Sequence, residues 1–169
     1  MNIGFLGAGG LGTMGIRLAR AMGNQITVIS PFKEVKEIAL QKGAHNFIDS
    51  TNPDQMKDSS LKFDLILDTV PDPHQISSFL PLLSVGGTYV IIGAFRDIQK
   101  IDHFDLLFHR RTITCSLIGS IRDSQDCLDF CRAHDVYPDI QMIGAPGIQE
   151  AWDTLMTGNK AGVRYVVDI

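Results

Sequence analysis

Short apolar runs alternate with segments whose apolar residues recur every three or four positions. Ile3–Leu6, Ile26–Ser30, Phe47–Asp49, Phe63–Asp68, Thr88–Gly93 and Thr112–Ile118 are rich in Ile, Val, Leu and Phe. They are apolar on both faces, which predicts parallel strands covered by helices above and below. Leu11, Met14, Gly15, Leu18, Ala19 and Met22 repeat at helical spacing, with Arg17 and Arg20 turned outward and Gly23 as the stop. Helices are predicted likewise over Val35–Lys42 before Gly43, Pro73–Leu83 before Gly86-Gly87, Asp123–His134, and Ile148–Met156 before Gly158. Asn52–Lys62 is polar and reads as a surface loop or a frayed helix.

Strand, helix, strand in repetition predicts an α/β fold. The expected architecture is a Rossmann-type doubly wound parallel six-stranded sheet, ordered 3-2-1-4-5-6, with a short C-terminal helix and strand appended. In such a sheet the chemistry sits at the carboxyl ends of the strands, near the switch point between the first and the fourth.

The chain has 169 residues, 44% of them apolar, which suits one compact domain with a real core. Fifteen basic residues stand against 19 acidic ones, for a formal charge of −4. With no basic run, the charge leaves no footprint for nucleic acid or an anionic membrane. No apolar stretch approaches the roughly 20 residues of a spanning helix. The N-terminus runs straight into Met1-Asn2-Ile3-Gly4-Phe5-Leu6 without the cationic lead of a signal peptide. Cys115, Cys127 and Cys131 are odd in number and irregular in spacing, which argues against a disulfide framework and for a reducing compartment. The expectation is a soluble cytoplasmic protein with neither nucleic acid nor membrane as partner.

Gly7-Ala8-Gly9-Gly10-Leu11-Gly12 matches G-x-G-x-x-G. Alone the pattern is weak; following a buried-type strand and opening an amphipathic helix, it reads as a dinucleotide fingerprint. Gly7 allows the tight turn, Gly9 lets a diphosphate come against the backbone, and Gly12 brings the helix close to the sheet. The helix N-terminus then offers free N–H groups and partial positive charge. The plainer reading is a glycine-rich connection and nothing more. No Lys-Ser or Lys-Thr pair follows, so this is not a P-loop.

An NAD-type site holds the ribose 2′-hydroxyl with Asp or Glu about 20 residues beyond the turn. That place falls on Ser30-Pro31-Phe32-Lys33, which contains no carboxylate. The Ser30 hydroxyl and the Lys33 ammonium suit a 2′-phosphate, hence NADP(H) over NAD(H). Otherwise Lys33 is a solvated charge at a helix start.

These residues resemble the coenzyme-binding half of the zinc-dependent medium-chain alcohol dehydrogenases, in particular the cinnamyl-alcohol-dehydrogenase-like branch. The resemblance covers essentially the whole chain. It includes Gly7–Gly12, Val28-Ile29-Ser30, Gly43-Ala44, Asp68-Thr69-Val70, Leu83–Gly87, Gly93, Ser116–Ser120, Leu128-Asp129-Phe130, Pro138-Asp139-Ile140 and Val163–Ile169. It implies that Gly9, Gly10 and Leu11 lie on the diphosphate and that Ser30 and Lys33 hold the 2′-phosphate. Thr69 and Val70 would flank the riboses, and Gly93 and Ala94 would pass under the nicotinamide. Ser116 and Ile118 would stand near its carboxamide, and Arg164 would reach the diphosphate from the tail. Thr13, Pro31-Phe32 and Phe95 depart from the branch's usual residues.

The family's catalytic zinc is held by two cysteines and a histidine of an N-terminal domain, and this chain begins at the first strand of the coenzyme domain. No zinc is therefore expected here. Residues 1–138 are assigned to the dinucleotide-binding Rossmann domain. Residues 139–169 are assigned to a C-terminal segment that would return to the missing catalytic domain, its tail strand Val163–Ile169 left without its usual partner. The resemblance also implies a homodimer through the edge strand 112–118.

Other chemistry finds little support. Cys127, Cys131 and His134 share a helical stripe, where buried cysteine behaves as a small hydrophobe rather than a metal ligand. Tyr89, Tyr137 and Tyr165 have no lysine four residues on, which removes the short-chain dehydrogenases. There is no G-x-S-x-G elbow. His45, His74, His103 and His109 read as surface residues, and Asp49, Asp68 and Asp72 carry no acid–base assignment. The expected function is the NADP(H)-binding part of an alcohol or aldehyde oxidoreductase, not competent alone. The alternatives are a zinc-free quinone or enoyl reductase of the same superfamily, and a stand-alone dinucleotide-binding or interaction module.

Overall fold

The computed structural model of the chain describes residues 1–94, 100–156 and 163–169. Phe95 and the Gly158 helix stop lie outside the described residues. Six strands make one sheet: β1 (Asn2–Leu6), β2 (Gln25–Ser30), β3 (Asn46–Asp49), β4 (Phe63–Asp68), β5 (Leu83–Ile91) and β6 (Thr112–Cys115). All their pairings are parallel, in the order β3-β2-β1-β4-β5-β6. That is the expected doubly wound order, with its switch point between β1 and β4.

The period of two along the strands divides the core between the two faces. Ile3, Phe5, Ile26 and Val28 pack with Ile16 of α1 (Gly10–Ala21) and Ala39 of α2 (Val35–Gln41). Leu6, Ile29, Ile66 and Tyr89 pack on the other side with Ile76 and Leu80.

That second face corrects one expectation. Pro73–Leu83 is not a helix; it forms two single 3₁₀ turns, Ile76–Ser78 and Leu80–Leu82. Pro81 has no N–H to give, and its ring would strike the carbonyl one turn back. The apolar residues are buried all the same. Arg111, itself buried, donates to the carbonyls of Leu83 and Pro81 and to that of Asp105, and the N–H groups of Leu61 and Lys62 donate to Pro81 O and Leu82 O, so the carbonyls at the end of this segment are satisfied from other parts of the chain.

Other boundaries move for local reasons. Asn52 accepts from the N–H groups of Asp54 and Gln55 and Pro53 takes the first helical position, so the polar stretch after β3 starts as α3 (Pro53–Asp58). Asp102 likewise caps α4 (His103–Leu107), an element with no counterpart in the sequence reading. The expected strand Thr112–Ile118 stops at Cys115. Ser116 N–H still donates to Ile91 O at 3.0 Å, but β5 ends at Ile91 and residues 117–118 have no strand to join. At the end of β5 the N–H groups of Ile92 and Gly93 both turn to Asp68 O, so the strand ends before Gly93. A reciprocal capping box between Ser120 and Asp123 opens α5 (Ile121–His134) two residues before its expected start.

The C-terminal segment adds a strand that was not expected. β7 (Ile140–Gly144) pairs in parallel with β8 (Arg164–Asp168), and α6 (Ile148–Met156) lies between them in the chain. The tail strand therefore has a partner inside the chain. Among the described residues, no helix is long and apolar enough to cross a membrane.

Candidate functional site

The carboxyl ends of β1, β2, β4 and β5 converge at the switch point, and the glycine turn sits there. Gly7 takes φ +86°, which an L side chain rarely adopts, and turns the chain out of β1. A Cβ on Gly12 would run into the Gly7 carbonyl, so the bare position is what lets α1 start against the strand. Above Gly9 the space is open: a Cβ there would meet nothing within 4 Å. Gly9 is the N-cap of α1 and has no side chain with which to cap it; no acidic residue stands in the first turn. The leading N–H groups of a twelve-residue helix are thus left for an outside acceptor.

Arg164 comes from the far end of the chain to this same point. Its guanidinium occupies the place a Gly10 side chain would fill. Two positive features, a helix N-terminus and a guanidinium, face one another, and Arg164 forms no ion pair among the described residues. Placed so, they repel unless an anion binds beside them and contacts both. A diphosphate has the charge and the oxygen spacing to do so.

Thr69 and Val70 follow β4 directly. Thr69 Oγ donates to Leu6 O at 2.9 Å, which locks this turn to the end of β1. Gly93 abuts it so closely that a Cβ would strike the Val70 carbonyl. Gly93, Val70 and the glycine turn are therefore one contiguous surface. Ser116 is hydrogen-bonded to the end of β5 beside it, while Ala94, Leu11 and Ile118 are exposed, Ile118 at 89%.

At the end of β2 the structure changes the picture. Ser30 is buried, and its Oγ accepts from Phe32 N–H at 3.2 Å. Lys33 reaches solvent, yet its Nζ lies 3.4 Å from Oδ2 of Asp49. Asp49 ends β3 in register with Ser30. Ser30-Pro31-Phe32-Lys33 contains no carboxylate and Glu34 comes only after it, but the absence read there is corrected, because the neighbouring strand delivers Asp49 to Lys33. Asp49 Oδ1 accepts from both Thr51 N–H, at 2.9 Å, and Thr51 Oγ, at 2.6 Å. Those bonds, with Lys33 assisting, hold its carboxyl below the usual carboxylate range. Beside the pair, a groove of about 670 Å³ runs along β3, lined by Lys36, Gln55, Asp58 and Lys62 among others. It borders the β2–β3 end of the site and not the glycine turn.

A buried polar cluster also escaped the sequence reading. Asp68, fully buried at the end of β4, accepts from Val70 N–H at 3.1 Å and from the Tyr89 hydroxyl at 3.0 Å. His74 Nε2 lies 2.9 Å from the same Oδ2, and its Nδ1 lies 2.8 Å from Asp72 O. Burial pushes the Asp68 carboxyl up, against the pull of Val70 and His74, and burial pushes the Tyr89 hydroxyl up as well. The cluster braces residues 69–74, the loop that carries Thr69 and Val70. Of the helical stripe, Cys131 is buried while Cys127 and His134 are exposed. Among the described residues, no three His, Cys, Asp or Glu side chains are grouped to hold a metal ion.

A six-stranded parallel sheet with a bare glycine turn at its switch point defines a Rossmann-type domain. Residues 10–133 match the family model described as zinc-binding dehydrogenase. The aldehyde reductase YahK of Escherichia coli is 39% identical over 168 residues, covering 99% of this chain and 48% of that protein. A cinnamyl alcohol dehydrogenase from Sorghum bicolor superposes with a TM-score of 0.92 at 33% identity, covering 99% of this chain and 47% of its own. The cinnamyl alcohol dehydrogenase of Helicobacter pylori, solved in complex with NADP(H), gives a TM-score of 0.82 at 31% identity, with 98% and 47% covered. The chain belongs to the zinc-binding dehydrogenase family, of which it represents the coenzyme-binding, C-terminal portion. It spans about half the length of the relatives it matches.

Proposed function

We propose that this chain is the NADP(H)-binding part of an alcohol or aldehyde oxidoreductase, with the diphosphate held jointly by the N-terminus of α1 and the adjacent Arg164. The juxtaposition of Arg164 with Gly10 carries the reading, because it assembles two anion-binding elements from opposite ends of the chain. Leu11 follows the diphosphate along the first turn of α1. Ser30 and Lys33 face the 2′-phosphate, Thr69 and Val70 the riboses, and Gly93 and Ala94 the nicotinamide, with Ser116 and Ile118 toward its carboxamide. Bound there, the nicotinamide supplies hydride transfer to or from a carbonyl carbon. What this chain's residues do is grip, orient and shield the dinucleotide.

We assign residues 1–138 to the dinucleotide-binding fold and 139–169 to a segment whose Arg164 completes the diphosphate site. We also propose a homodimer formed through the free edge of β6.

Calorimetric titration of the 169-residue chain with NADPH and NADH tests the central reading. Arg164→Met is expected to weaken both dinucleotides about tenfold to a hundredfold, the range of one charge-assisted hydrogen bond, and to leave their ratio unchanged. Binding of neither dinucleotide by the unaltered chain refutes it. An NADPH-dependent aldehyde reduction assay, with metal analysis of the same sample, is expected to show neither turnover nor stoichiometric zinc.

A further inference from the structure

We propose that Asp49 is a specificity-determining residue that holds Lys33 back from the 2′-phosphate and so tempers the site's preference for NADP(H) over NAD(H). The inference rests on the reading of Ser30 and Lys33 as the ribose end of the dinucleotide site.

Its geometry divides the carboxylate between two tasks. Oδ1 takes both hydrogen bonds from Thr51 and closes the turn after β3, while Oδ2 is turned to Lys33 Nζ at 3.4 Å. The Asp49 side chain is 7% exposed and that of Lys33 is 81% exposed. The carboxylate is therefore fixed by the fold, and the long lysine side chain is the member that moves. Asp49 is in register with Ser30, so adjacent parallel strands set the two about 5 Å apart along the hydrogen-bonding direction. A lysine drawn to Asp49 has its charge already compensated before a phosphate arrives. A phosphate at the ribose must compete for it, whereas the 2′-hydroxyl of NADH has no such need. Asp49 is thus a positioning residue acting through Lys33, and its effect falls on the phosphorylated dinucleotide alone.

The test is a double-mutant cycle read by calorimetry with NADPH and NADH. Asn in place of Asp49 keeps an oxygen for Thr51, so Asp49→Asn preserves the turn; Asp49→Ser, which also offers an acceptor, carries the same expectation. Either substitution is expected to raise the NADPH:NADH affinity ratio about threefold to tenfold, the scale of releasing one partly screened ion pair. Asp49→Glu, which retains the charge, is expected to stay near the unaltered ratio. In a Lys33→Ala background the Asp49→Asn effect is expected to shrink below about twofold, since the two act as one unit. A ratio that falls or stays fixed in Asp49→Asn overturns the proposal, as does an effect that persists undiminished without Lys33. Failure of the unaltered chain to bind either dinucleotide overturns the functional reading beneath it, an outcome distinct from binding both with an unmoved ratio.

Discussion

The Tyr89 hydroxyl donates to the fully buried carboxylate of Asp68 across 3.0 Å, from β5 to the end of β4. Tyr89 packs in the core with Leu6, Ile66 and Ile91, and Asp68 stands in register with Leu6 and Ile91 and is fully buried, so an unpaired polar atom there has no water to turn to. The bond also underlies the candidate site, because the same carboxylate accepts from Val70 N–H in the loop that follows β4. Tyr89→Phe is expected to cost about 1–3 kcal/mol of stability, the penalty of leaving a buried acceptor short of a donor. Urea unfolding of the two proteins measures it, and an unchanged midpoint refutes the role.

Acid and neutral pH act on Asp68 and Asp139 in opposite senses. Asp139 takes both oxygens to Arg17 of α1, at 2.8 and 2.9 Å, and lies 2.6 Å from Lys42 beyond α2. The Lys42 bond first, and Arg17 after it, hold its carboxyl below the ordinary value of 3.8. Its stabilisation is present above 3.8 and is lost as pH falls through the lowered value. Burial raises Asp68 instead, so its charging costs stability as pH climbs from 3.8 through the raised value. Asp139→Asn is therefore expected to lose about 1 kcal/mol at pH 7, part of it screened by solvent, and to flatten the decline below pH 3.8. Denaturant midpoints between pH 2.5 and 7 give the comparison; parallel curves for the two proteins would contradict it.

The sheet order was legible because each strand is a short run apolar on both faces, and the helices between follow from spacing. The segment from Pro73 to Leu83 misleads for a physical reason. Its apolar residues are spaced for burial, but Pro81 forbids the helix that the spacing suggests. Asp49 was hidden differently. Counting along the chain from Gly12 reaches Ser30 and finds no acid, while the parallel register carries Asp49 to the same level on the next strand. A register argument applied to the ends of β2 and β3 would have exposed it. The Asp68–Tyr89 pair needs the β4–β5 register in the same way, with Ile66 opposite Tyr89 and Asp68 opposite Ile91.

Gly9 separates the fold from the site. A Cβ there meets nothing within 4 Å, and its φ of −69° suits any residue. Gly9→Ala is expected to leave stability within about 0.5 kcal/mol of the unaltered chain. The new methyl fills the open space over the turn, so both dinucleotides are expected to weaken about tenfold or more, one decade being about 1.4 kcal/mol. At Gly12 the Cβ meets the Gly7 carbonyl instead, and Gly12→Ala is expected to lose stability and binding together. Thermal unfolding alongside calorimetry distinguishes the two; equal stability losses would show that Gly9 serves the fold.

The sheet has two edges, β3 and β6, and among the described residues β6 is hydrogen-bonded to β5 alone. Ser116 N–H points to Ile91 O, so by the alternation of a parallel ladder the N–H groups of Thr112 and Thr114 face β5 and those of Ile113 and Cys115 face outward. No lysine or proline from Thr112 to Cys115 discourages pairing. Just beyond, Leu117, Ile118 and Ile121 are 81%, 89% and 92% exposed, an apolar continuation of the edge that water disfavours. Edge pairing with a second copy would satisfy the outward groups and cover these side chains at once. The chain is expected to sediment as a dimer or larger species at tens of micromolar. Cys115→Pro removes an outward donor without taking a bond from β5, and Ile118→Glu places charge in the apolar stretch. Each is expected to shift the population to monomer with little change in unfolding temperature. A monomeric unaltered chain, or variants that associate as before, would show that this edge is not the interface.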